Sequence, residues 1–124
     1  MTIEQAIAHV DKLRPNTFDH ETKVGWLSKL DGMIWIEVFC THACNPVPCF
    51  RGYDEALPDT RLLVPEPYAD DVYNYYLQTQ IDKENSEIAK YNQTMALFNS
   101  AYKTFADWYN RTHVPVPCRS QFSF

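Results

Sequence analysis

The chain has 124 residues, of which 45% are hydrophobic and 15% aromatic, which is enough apolar mass for one folded domain with a core and too much for a disordered tail. Its formal net charge is −5 and its Lys and Arg residues are scattered, which excludes the clustered basic surface of an ordinary DNA reader. No apolar run is long enough to cross a membrane, and MTIEQAIAHVDKL lacks the basic region and apolar core of a signal peptide, so a product of the cytosol is expected.

Thr2 followed three residues later by Gln5 is a capping-box pattern, and Ile3, Ala6, Ile7, Val10 and Leu13 then recur at helical spacing. This first helix must stop near Arg14, because the residue before Pro15 is pushed out of the helical region. Either Thr17 or Asp19 can cap a second helix running from about Asp19 to Phe39, with Val24, Trp26, Leu27, Leu30, Ile34, Trp35 and Val38 as its apolar positions. Gly25 and Gly32 lie inside it, each costing about 1 kcal/mol relative to alanine. Two readings fit: another backbone approaches them closely, or they sit on an exposed face.

From Thr41 to Glu66 four prolines and Gly52 forbid a continuous helix. Short extended pieces at Val47 to Tyr53 and Arg61 to Val64 could pair as a small hairpin or add to a neighbour's sheet edge. Such a loop is too long to be only a connector, so it is expected to be functional or ordered by an assembly. Three of the four cysteines, Cys40, Cys44 and Cys49, fall here together with His42 in CTHACNPVPC; the fourth is Cys118. Gaps of three and four residues do not match the paired Cys-x2-Cys knuckles of common zinc sites, and a reducing compartment disfavours disulfides. Structural thiols are expected, with no metal and no cofactor.

From Pro67 to about His113 no proline or glycine interrupts the chain. Leu77, Ile81, Ile88, Tyr91, Met95, Phe98, Tyr102, Phe105 and Tyr109 are spaced alternately by four and three, with only Glu84 breaking the series. The pattern predicts one long helix of roughly 65 Å at 1.5 Å per residue, which either bends or needs neighbours. Its natural break is DKENSE, around Asp82 to Ser86. Tyr68, Tyr73, Tyr75 and Tyr76 go most of the way round its first turns, so this part is expected to be buried on several sides. Gln78, Asn85, Asn92 and Asn99 form a row of amides every seven residues, which could fix a helix pair's register or be a polar flank. Beyond it, Pro115 and Pro117 predict an extended arm that ends in the apolar Phe122 and Phe124.

Catalytic motifs are missing: there is no phosphate-binding glycine loop, nucleophile elbow, zinc-protease helix or calcium loop. His9, His20, His42 and His113 are far apart in sequence, and Asp70 and Asp71 project about 100° apart on a helix. No enzyme is expected.

The order of segments, with VGWLSKLDGMIWIEV in the second helix and LLVPEPY and YNQTMALFNSAY in the second half, resembles small structural proteins of tailed bacteriophages and prophages. It is most similar to the helical head–tail adaptor class, also called connector or head-completion proteins, over about Ile3 to His113. The resemblance implies an all-α virion protein, made in the host bacterial cytoplasm, that forms a ring, usually of twelve copies, at the neck. Its partners would be the portal protein and the next neck or tail-completion protein, with DNA passing through unread. On this reading residues 1–112 are a helical domain interrupted by the loop 41–66, and 113–124 is an arm. Interface contacts are expected from Phe50, Arg51 and Tyr53 in the loop and from Val116, Phe122 and Phe124 in the arm. A helical binding or regulatory module acting on another protein is the alternative.

Overall fold

A computed structural model describes residues 1–42, 50–54, 56–57 and 59–113. These form four α-helices, α1 (Ile3–Leu13), α2 (His20–Glu37), α3 (Tyr68–Glu84) and α4 (Ile88–Thr112), with a short 3-10 turn at Phe39–Thr41. No strand occurs among the described residues, so the expected all-helical class holds for them.

Helix α3 is the centre, packing against each of the other three. Its residues explain this position: Val72, Tyr73, Leu77 and Ile81 are fully buried, and Tyr68, Tyr75 and Tyr76 are partly buried around them. The aromatic girdle read from the sequence thus does bury several sides of one helix. Helices α1 and α2 add Ile3, Ile7, Val10, Leu27, Leu30 and Ile34 to the same core.

Local chemistry sets the helix ends where the sequence places them. The Thr2 hydroxyl accepts from the Gln5 N–H at 3.2 Å while the Gln5 side chain accepts from the Thr2 N–H at 3.0 Å, closing the capping box. Asp19 caps α2 by accepting from the Thr22 N–H at 2.9 Å. Lys23 is buried on α2 and reaches Asp11 of α1 at 2.6 Å, which satisfies an ammonium that would otherwise be desolvated without a partner. Gly25 has open space beside it and Gly32 faces the ring of Phe50, so among the described residues no second backbone approaches either.

The Arg61 to Val64 segment pairs with the start of the chain, while Val47, Pro48 and Cys49 of the expected hairpin lie outside the described residues. Ile3 N–H donates to Thr60 O at 3.1 Å and Leu62 N–H to Met1 O at 3.0 Å, around a single antiparallel bridge between Thr2 and Arg61. Leu62 and Val64 are thereby carried into the core.

The long second half is two helices, not one stave. Asn85 ends α3, Ser86 adopts φ 58°, and the chain reverses into α4, in the middle of the DKENSE run where the break was expected. Ser86 N–H donates to Lys83 O at 3.1 Å and Glu87 N–H to Asp82 O at 3.0 Å, the two bonds of a Schellman cap. The hairpin is antiparallel, since the Tyr68 ring lies 5.1 Å from that of Trp108 and the Tyr76 ring 5.3 Å from that of Phe98, both pairs tilted. The heptad series therefore folds back on itself: Leu77 and Ile81 meet Phe98 and Phe105 in one core, and Ile88 is left exposed beside the turn. The amide row is also divided, with Gln78 on α3, Asn85 at its end and Asn92 and Asn99 exposed on α4. Asp82 locks the fold-back from within: it receives Arg14 Nε and Nη2 at 3.1 and 3.0 Å, and the Thr94 hydroxyl lies 3.2 Å away. Replacing Ser86 by glycine removes the side-chain penalty of the left-handed conformation, so Ser86→Gly should raise unfolding stability by about 1 kcal/mol in a urea titration.

Candidate functional site

Helix α2 buries Val24, Leu27, Leu30 and Ile34 on one side, and Asp31 lies on that same side with 0% exposure. A carboxylate there requires donors, and the fold supplies three. Tyr73 of α3 donates to its Oδ1 at 2.7 Å, the Leu63 N–H donates to its Oδ2 at 3.1 Å, and the Tyr53 hydroxyl donates to Oδ2. Tyr73 Oη in turn accepts from the Val64 N–H at 2.8 Å. One side chain thus fastens α2, α3 and both ends of the described loop. Burial pushes the Asp31 carboxyl up to about 6, against the hydrogen bonds from Tyr53, Tyr73 and Leu63 that favour its charged form. Burial and the Asp31 charge together hold the Tyr53 and Tyr73 hydroxyls above their ordinary value, so both remain donors.

The loop enters this tie through a turn that needs glycine. Gly52 has φ +98°, and the Tyr53 N–H that follows donates to Ser28 Oγ of α2 at 2.9 Å. Past the tie, Leu62, Leu63 and Pro65 form one wall of an open cleft of about 410 Å³. The other wall is Phe39, Trp108, Tyr109 and His113, where the 3-10 turn meets the end of α4.

Tyr109 is the hub of that second wall. The Phe39 ring stacks on it at 5.1 Å, the His113 ring lies parallel at 3.8 Å, and the His42 ring meets it edge-on at 4.6 Å. His42 is buried at 4% exposure; its Nδ1 lies 2.6 Å from Val38 O and must carry the proton, because a carbonyl oxygen only accepts. Its Nε2 is buried without a hydrogen-bond partner. His113 repeats the arrangement, with Nδ1 3.2 Å from Tyr109 O.

Of the interface residues named from the sequence, Phe50 packs on Gly32 and the Tyr53 ring, the Tyr53 hydroxyl is committed to Asp31, and Arg51 is exposed. The structure therefore uses Phe50 and Tyr53 within the chain. Val116, Phe122 and Phe124 lie outside the described residues, as do Cys44, Cys49 and Cys118. No family model matches the chain, and no curated protein or solved structure does either. Asp31 was detectable as an acidic residue spaced four from Leu27 and three from Ile34, on the apolar stripe of α2. The meeting of His42 and His113 was not visible from their separation along the chain.

The unfolded Asp31 carboxyl titrates near 3.8 and the folded one near 6, so between these values the folded state keeps a proton that the unfolded state has released. Stability should therefore fall as pH rises through this window, by roughly 3 kcal/mol at 1.36 kcal/mol per pH unit, and level off above it. Comparing urea unfolding of the protein and Asp31→Asn from pH 4 to 7 isolates this slope, which the variant should lack. Asp31→Ala, which strands three buried donors, should cost about 3 kcal/mol or more in the same titration.

Proposed function

We propose that the protein is a structural subunit of a tailed-bacteriophage or prophage virion, a head–tail adaptor that assembles as a ring between the portal and the tail. The resemblance of its segments to that class supplies the identity. The observation that carries the assembly reading is the placement of large apolar side chains in solvent on two separate helices. Ile36 and Met33 stand out from α2, with Ile36 62% exposed, and Ile88 and Leu97 stand out from α4 at 72% and 42%. The two sets lie on different helices, and among the helices α4 packs closely on α3 alone. A ring closed by head-to-tail contacts requires two unlike surfaces on each subunit. The acidic net charge suits a channel through which DNA slides without adhering.

Within such a ring Arg51, exposed in the loop, is available to a neighbour or to the portal protein, and the arm carrying Val116, Phe122 and Phe124 is the second contact. Native mass spectrometry of the full chain, alone and mixed with a portal protein of the same phage, tests the reading. A closed ring of about twelve copies is expected, and Ile36→Glu or Leu97→Glu should each break it into smaller species without loss of helicity. A monomer in both conditions would sink the ring and favour a helical module that grips another protein.

A further inference from the structure

Helix α2 carries an exposed stripe on the side away from Leu27, Leu30 and Ile34. Gly25, Lys29, Met33 and Ile36 recur there at intervals of four, four and three, and all four are exposed. Gly25 has no atom within 4 Å of the position a Cβ would take, and Lys29 has no ion-pair partner among the described residues. The second feature is a cleft of about 250 Å³ between α3 and α4, lined by Asp71 and Tyr75 on one helix and by Leu97, Ser100, Ala101 and Thr104 on the other. An apolar cavity of roughly 150 Å³ holds a benzene, so this cleft has room for an Ile or Met side chain. Asp71 also lacks an ion-pair partner among the described residues, and Lys103 of α4 is already paired with Asp107 at 2.8 Å. The Tyr102 hydroxyl donates to Glu37 of α2, and Leu97 lies roughly 140° round α4 from Tyr102, so a chain's own α2 does not cover the cleft.

Stripe and cleft match in length and in order. The ring pairs Tyr68–Trp108 and Tyr76–Phe98 set Asp71 level with about Thr104, so the cleft runs seven residues, about 10 Å, from its carboxylate to Leu97. On α2 the same seven residues separate Lys29 from Ile36. Laid antiparallel to α4, the stripe sets Lys29 at Asp71, Met33 over Ser100 and Ala101, and Ile36 beside Leu97. Gly25 then falls opposite Trp108, where the missing side chain leaves room for the indole. In the reverse direction Ile36 would meet the carboxylate and Lys29 would lie on Leu97. We infer that α2 of one copy docks in the α3–α4 cleft of a second copy, antiparallel to its α4, through a Lys29–Asp71 ion pair and the burial of Met33 and Ile36. This docking rests on the ring proposed above and supplies its head-to-tail contact: stripe and cleft are unlike, so each copy in a pair keeps one of them for the next copy.

Native mass spectrometry of the full chain over a concentration series at low salt reads the pairing. Lys29→Asp and Asp71→Lys each set like charges opposite one another and should raise the concentration needed for assembly about tenfold or more. The double variant, which exchanges the two charges, should recover it. Gly25→Leu suits a helix better than glycine and has open space within the single chain, so it should fold as well as the parent and assemble about tenfold less readily or worse. Ser100→Trp, which fills the cleft from an exposed position, should do the same with helicity unchanged. A ring that persists in all four single variants would overturn this docking and leave the ring standing. Single charge reversals that weaken assembly without recovery in the double variant would overturn the Lys29–Asp71 pairing and the register built on it. A chain that is monomeric at every concentration, and also with portal protein, would overturn the docking and the ring together.

Discussion

A carboxylate at zero exposure cannot be left to itself, and much of this fold answers that requirement at Asp31. Removing its charge from water disfavours ionisation, and only the convergence of Tyr53, Tyr73 and the Leu63 N–H offsets the loss. These donors come from a loop and a central helix, so satisfying one side chain fixes the relation of α2, α3 and the 50–64 chain at once. The route of that loop follows: Leu63 can donate only if its neighbours Leu62 and Val64 are already placed, and both fall into the core. A polar group buried in this way contributes little net stability compared with an apolar replacement, but it permits one arrangement of the segments around it.

The second constraint is the fold-back at Ser86. As one stave, the apolar series of the second half would have presented a continuous seam to neighbouring copies. Folded into a hairpin, most of that seam is consumed internally between α3 and α4, and the side chains left for partners are few and specific: Ile88 beside the turn and Leu97 on the outer flank of α4. Among the described helices, exposed apolar side chains therefore remain at Leu13 of α1, at Met33 and Ile36 of α2 and at Ile88 and Leu97 of α4.

Helix existence, the capping of α1 and α2 and the burial of the aromatic girdle were legible because each depends on residues within one or two turns of each other. The position of the break was legible too, since DKENSE is polar and Glu84 interrupts the seam. What could not be read was that the break reverses the chain. A Schellman cap commonly announces itself with glycine, and here serine takes the left-handed position, so the usual punctuation is missing. The partners of Asp31 and Asp82 were hidden for a different reason: Asp31 bonds to Leu63 and Tyr73, and Asp82 to Arg14, across separations that local periodicity does not register.

The meeting of Phe39 and Tyr109 bears on how α4 is held. Among the helices it packs closely on α3 alone, and a long helix supported along one side needs bracing near its far end. The braces are lateral: Phe39 stacked on Tyr109, and Tyr102 donating to Glu37 at 2.9 Å. Both connect α4 to the last residues of α2 and the turn after it, and His42 and His113 lie at the end of that contact. The Tyr102 bond is solvent-exposed and adds little. The aromatic stack around Tyr109 is buried and carries more of the load.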